Sequence, residues 1–188
     1  MNSPILTSGA APVLHTFPVD QEGTLTLRFS DQGEITLRAC VAADMVFLRT
    51  LYYELRADEL AVLPWTKQQK EAFLESQFSL QHQHYLTYYS MANFWVIEYQ
   101  GASIGRFYLL RQLPDFLLVD ISLALAWRNR GIGRALIAYA QTSAQNAHAR
   151  LNLHVDQRNI AAQRLYQRLG FVVMESEGPY IRMGCGGS

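Results

Sequence analysis

Two periodicities divide the chain. Residues 25–29 and 35–40 alternate apolar and polar side chains on either side of Ser30, Asp31, Gln32 and Gly33, the pattern of two strands joined by a turn. Behind Asp44, the residues Phe47, Leu48, Leu51, Tyr52 and Leu55 fall at helical spacing, which predicts a helix capped by Asp44 and ending near Arg56. A polar and aromatic connection then leads to Thr66, followed three residues later by Gln69. That is the capping-box pattern of a second helix, continued by Phe73, Leu74, Gln77, Phe78 and Gln81 toward a tyrosine-rich segment, Tyr85, Tyr88 and Tyr89.

Residues 94–99 and 104–110 flank a short glycine-containing turn as a hairpin, and a third strand, 116–125, follows at once. Ala135, Leu136, Tyr139, Ala140, Ser143 and Ala147 keep one face of a third helix apolar or small. A strand over 151–155, a helix over 159–169 stopped by Gly170, and strands over 171–175 and 180–183 complete the pattern. The succession implies the α/β (α+β) class, with a mixed, mostly antiparallel central sheet flanked by helices. Residues 1–22, rich in Pro, Ser, Ala and Gly, form an N-terminal extension; 23–183 form a single domain, and 184–188 a flexible tail.

Composition narrows the function classes. Sixteen basic residues balance sixteen acidic ones, so no overall field steers the chain to nucleic acid or to an anionic membrane. No run of 18 apolar residues occurs, and the N-terminus lacks a basic, apolar secretory leader, which predicts a protein with no membrane segment. Cys40 and Cys185 are far apart and in no ligand spacing, which fits reduced thiols and a cytoplasmic location. His82 and His84, two apart on a helix, lie on different faces, so no metal site is read there.

Chemistry concentrates in residues 120–134. Here a strand breaks into Arg128, Asn129, Arg130, Gly131, Ile132, Gly133 and Arg134 and runs straight into a helix. Glycines let the backbone approach an anion with successive N–H groups, and the helix adds its partly positive N-terminus. The dinucleotide fingerprint G-x-G-x-x-G after an early strand is not met.

The segment from Arg128 to Gly133 resembles the [Q/R]-x-x-G-x-[G/A] motif of the GNAT superfamily of acyl-CoA-dependent N-acyltransferases. About 25 residues on, Asn159, Ala162, Leu165, Tyr166, Gly170 and Phe171 reproduce that family's N-x-x-A-x-x-L-Y-x-x-x-G-F segment. Two motifs at the expected separation are far more specific than either alone.

The resemblance implies an enzyme, an N-acetyltransferase, that moves an acetyl group from acetyl-CoA to a primary amine of a small molecule or peptide by direct attack, without metal. It implies that the backbone from Arg128 through Arg134 binds the pyrophosphate of coenzyme A, and that Leu123, Ala124 and Leu125 pair with the pantetheine arm like an added strand. Leu123 N–H becomes the donor to the carbonyl oxygen, Tyr166 the general acid for the departing thiolate, and Asn159 a cofactor contact.

An unperturbed phenol is only ~2 kcal/mol uphill of protonating a thiolate. Many relatives carry a glutamate base six residues ahead of the Leu123 position, where this chain has Leu117; Asp120 is the only carboxylate on that strand and the candidate substitute. Strict alternation points Asp120 to the face opposite Leu117 unless a bulge intervenes.

Acceptor binding is expected from Tyr52, Glu54, Arg56, Glu59 and Trp65, joined by the tyrosine-rich segment, which suits a pocket or a homodimer interface equally. A non-catalytic acyl-CoA-binding sensor of the same fold is the alternative function.

Overall fold

Phe94, Trp95, Val96 and Ile97 are consecutive and all buried, which a strand satisfies only when helices cover both of its faces. A computed structural model, which describes residues 16–18, 23–29 and 33–186, shows this arrangement. The elements are β1 (Leu25–Arg28), β2 (Glu34–Ala39), α1 (Met45–Ala61), α2 (Lys67–Tyr88), β3 (Asn93–Tyr99), β4 (Ala102–Arg111), β5 (Asp115–Leu123), α3 (Ile132–Asn146), β6 (Arg150–Asp156), α4 (Ile160–Arg168), β7 (Val172–Glu177) and β8 (Tyr180–Cys185). They build one eight-stranded sheet in the order β1-β2-β3-β4-β5-β6-β8-β7. Its strands are antiparallel except for the pair β5 and β6, which α3 connects.

Alternation distributes side chains to two cores. Trp95, Ile97, Phe107, Leu109 and Leu118 face α3 and α4 with Leu136, Ile137, Tyr166 and Phe171. Phe94, Val96 and Tyr108 face α1 and α2 with Leu48, Tyr52, Leu74 and Phe78. Hydrogen-bonded turns set the register: Gln100 and Gly101, both at positive φ (50° and 79°), close the β3-β4 hairpin with the hand that matches strand twist. Gly105 lets β4 and β5 lie close, since a Cβ there would run into the Ser122 carbonyl oxygen.

Several predicted boundaries move. The first helix continues five residues beyond Arg56 to Ala61, because Leu60 adds a further buried contact on the Tyr52 face. Asp44 precedes α1 but makes no side-chain cap. Its carboxylate is taken by the Arg38 guanidinium at 2.8 and 2.9 Å and by Val41 N–H at 2.7 Å, a bidentate charge-assisted contact stronger than a cap.

The third hairpin strand stops at Leu123 rather than at 125, and Leu125–Trp127 form a 3-10 turn. Gly184 and Cys185 are not tail but strand: they pair with Asn152 and Leu151, and a Cβ on Gly184 would strike Met174 and Asn152. Most of the predicted N-terminal extension, residues 1–15 and 19–22, lies outside the described residues; Phe17, which is described, packs on His82 and Phe94.

Candidate active site

The site exists because two parallel strands stop pairing. β5 and β6 are in register only from Asp115↔Arg150 to Leu118↔Leu153. Beyond that point β5 stays with β4, while β6 stays with β8. A cleft of about 1050 Å³ opens between them, floored by both strands and walled by the ends of α1 and α2 on one side and by α4 on the other.

The edge of β5 along this opening carries free backbone directions. Ala124 N–H donates to the Ile104 carbonyl at 2.9 Å, so in the antiparallel ladder Leu123 turns its own N–H and C=O away from β4, toward the side β6 has left. Two side chains meet this edge: Arg128 Nε donates to the Leu123 carbonyl at 3.2 Å, and Leu125 N–H donates to Glu54 Oε1 at 2.8 Å.

Next in the chain comes the glycine turn. Asn129 and Gly131 take positive φ, 60° and 84°, and Gly131 caps α3 without any side-chain acceptor. The N–H groups of Ile132, Gly133 and Arg134 precede the first intrahelical bond, from Ala135 N–H to the Gly131 carbonyl. Ile132 is fully buried and pins the helix start.

The space above the turn is open: a Cβ on Gly131 would meet no heavy atom within 4 Å, and one on Gly133 only Leu165, at 3.9 Å. A ring of N–H donors at a helix start, open to solvent, suits a phosphate group. The arginines are partly engaged elsewhere, since Arg130 lies over the Trp127 ring at 4.8 Å.

Asp120 lies in the cleft. Tyr108 pairs with Asp120 and Leu109 with Leu118, so Val119 is an extra residue on β5. This bulge cancels one step of alternation and brings Asp120 to the cleft beside Leu117. Its carboxylate accepts three hydrogen bonds: Oδ2 from the Tyr85 hydroxyl (2.8 Å) and Arg106 Nη2 (2.7 Å), and Oδ1 from Ser122 Oγ (2.7 Å). Arg106 Nη2 also donates to Gln81 Oε1 at 2.8 Å. Burial, then the Asp120 charge, pushes the Tyr85 phenol well above its ordinary range.

Tyr166, carried by α4, lines the opposite wall and is almost wholly buried. Burial and, after it, the Asp120 charge push its phenol up to about 12. Asn159 caps α4, its Oδ1 accepting from Ala162 N–H at 3.1 Å, and also lines the cleft.

The predicted acceptor residues separate. Arg56 and Glu59 reach the cleft rim, paired with each other at 3.3 Å and facing the Asp156–Arg158 pair. Tyr52 and Trp65 do not reach it. Tyr52 is on the buried face of α1 against Phe78, and Trp65 packs edge-on against Phe73 in the α1-α2 connection.

Sequence reasoning passed over Gln81, Arg106, Ser122, His154 and Tyr180, all of which line the cleft or hold Asp120. Arg106 alone carried a signal: alternation puts it on the same face of its strand as Tyr108 and Leu110, an inward position for a charge.

A family model described as an acetyltransferase (GNAT) domain matches residues 90–173, a span that holds the β5 edge, the Gly131 turn and Tyr166. Over that span the chain is similar to a GNAT acetyltransferase domain. Over 81 residues it is 35% identical to the 5-NmdU N-acetyltransferase of Pseudomonas phage PaMx11, a match that covers 42% of this chain. The chain spans 56% of that relative's length.

Among solved structures, the PaiA N-acetyltransferase of Thermoplasma acidophilum, in complex with coenzyme A, superposes with a TM-score of 0.63 at 16% identity, over 81% of this chain and 98% of that one. An acetyltransferase from Thermus thermophilus does so with a TM-score of 0.61 at 16% identity, over 86% and 99%. At that identity the likeness speaks for the fold, and the mixed, mostly antiparallel sheet flanked by helices is the GNAT fold.

Proposed function

We propose that this chain is a GNAT-type N-acetyltransferase that transfers an acetyl group from acetyl-CoA to a primary amine of a small molecule or peptide by direct attack. One observation carries the reading: β5 and β6 part beside a cleft lined by Asn159 and Tyr166, and β5 runs on from that cleft through the outward-facing backbone of Leu123 into the open glycine turn at Gly131.

In this reading the N–H groups from Gly131 to Arg134 hold the pyrophosphate, Leu123 and Leu125 hold the pantetheine arm, and Asn159 adds a polar contact. Leu123 N–H donates to the acetyl carbonyl oxygen as negative charge builds on it. The amine nitrogen forms the new C–N bond, the C–S bond breaks, and the sulfur receives the Tyr166 proton. The proton shed by the amine leaves through the open cleft to water, and water returns one to the tyrosinate, so the cycle balances.

With its phenol at about 12, Tyr166 stands ~5 kcal/mol uphill of full transfer to a thiolate whose conjugate acid is at about 8.5. Tyr166 therefore gives up its proton only as the C–S bond breaks. Asp120 is given a positioning role rather than that of base: it already accepts from Tyr85, Arg106 and Ser122, and its charge adds to burial in raising the Tyr166 phenol. Among the described residues no helix is long and apolar enough to cross a membrane, and with a coenzyme A thioester as donor we place the protein in the cytoplasm.

The test is thiol release from acetyl-CoA across an amine library that includes 5-NmdU, the compound named in the phage relative. Turnover of at least one amine, slowed about 100-fold in Tyr166→Phe, is the expected result. Tight coenzyme A binding with no amine turned over would refute acetyl transfer in favour of a binding module.

A further inference from the structure

Glu54 is on α1 and Leu125 is 71 residues later, yet the carboxylate oxygen sits 2.8 Å from the Leu125 nitrogen. One step back along the same edge, Arg128 Nε meets the Leu123 carbonyl at 3.2 Å. A strand edge offers N–H and C=O groups in alternation, and an extended segment satisfies it with an acceptor and a donor at matching spacing. Here a carboxylate supplies the acceptor and a guanidinium the donor. Two side chains of opposite charge thus complete the edge as an added strand would.

We infer that Glu54 and Arg128 are an internal stand-in for the pantetheine arm, which displaces both when coenzyme A binds. The inference rests on the acyl-CoA reading above, because it is the arm's amides that take over Leu125 N–H and the Leu123 carbonyl. Displacement has two consequences. Arg128, three residues before Gly131, is freed to turn toward the pyrophosphate. Glu54, an anion on the path of an anionic ligand, leaves that path and returns when the ligand departs, so it opposes tight retention of the product coenzyme A. Helix α1 thereby senses whether the cleft is loaded.

The experiment compares wild type, Glu54→Ala and Glu54→Gln, with folding checked by circular dichroism. Coenzyme A and ADP are titrated calorimetrically, ADP having the pyrophosphate but no arm, and exchange of the Leu125 amide hydrogen is followed by NMR. In Glu54→Ala, coenzyme A binds roughly three- to tenfold tighter while ADP changes by less than about twofold, and the Leu125 amide of the free protein exchanges faster until coenzyme A protects it again. Glu54→Gln, a weaker acceptor of the same shape, shifts in the same direction by less and carries the test alone if the alanine variant does not fold.

Unchanged or weaker coenzyme A affinity overturns the inference, as does ADP tightening by the same factor, which would mean a diffuse charge effect. Failure of the wild type to bind coenzyme A overturns the acyl-CoA reading itself, so the two failures are distinguishable.

Discussion

Arg106 Nη2 lies 2.7 Å from Asp120 Oδ2, with the two side chains 6% and 10% exposed, at the point where β5 parts from β6. An isolated buried ion pair gains little net stability, because desolvation consumes the Coulomb attraction. This one is held in a network in which Gln81 and Tyr85 of α2 and Ser122 of β5 take further hydrogen bonds. It ties α2 to the floor of the cleft, and its negative end faces Tyr166 across that cleft.

Removing one partner should expose the cost of the other. Arg106→Leu leaves Asp120 buried and uncompensated and is expected to lower stability by about 3–5 kcal/mol in urea unfolding. Combining it with Asp120→Leu should recover much of that loss. A double variant no more stable than Arg106→Leu alone would show that the pair is not the coupled unit described.

Tyr166→Phe keeps the ring against Phe171 and removes the proton donor. We expect kcat to fall about 100-fold with little change in coenzyme A affinity. Burial and the Asp120 charge favour the neutral phenol, so the associated stabilisation is complete below pH about 10 and is lost as pH climbs through about 12. No alkaline fall in kcat/KM should therefore trace to Tyr166 below pH ~11. A Tyr166-dependent limb near pH 9 would contradict the placement.

Gly131 has a φ of +84° and opens onto free space in the turn proposed to hold the pyrophosphate. Gly131→Val should cost ~1–2 kcal/mol of stability from the left-handed backbone and weaken coenzyme A binding more than tenfold, read by thermal melting and calorimetry. Equal affinity in a folded Gly131→Val protein would remove the pyrophosphate from this turn.

The two thiols should react unequally. Cys40 is buried, and that burial, with the Asp44 charge adding to it, pushes its thiol up to about 12. Cys185 is half-buried at the end of β8. Titration with a disulfide reagent is expected to modify Cys185 slowly in the native protein and Cys40 only on unfolding. Rapid native labelling of Cys40 would mean that the α1 and α2 face opens readily.

Much of the strand and helix order was legible because it depends on local spacing: residues 94–99 and 104–110 around a short turn mark the β3-β4 hairpin, and Thr66 with Gln69 marks a helix start that the structure realises as a full capping box. The glycine turn and Tyr166 could be singled out because each is embedded in a motif with its own spacing. The position of Tyr52 and Trp65 away from the cleft was not legible, because a helical pattern tells which residues share a face, not whether that face meets a cleft or a core.

By itself, then, the sequence determined the element order, the mixed sheet, the glycine turn before α3 and the motif that holds Tyr166, since these rest on chain-local spacing and on residue types with narrow backbone preferences. Only the tertiary structure decided where Asp120 points and what Glu54 does. One extra residue at Val119, invisible to any alternation rule, reverses the face of everything after it, and contacts between residues 14, 35 and 71 apart follow from which strands and helices pack together.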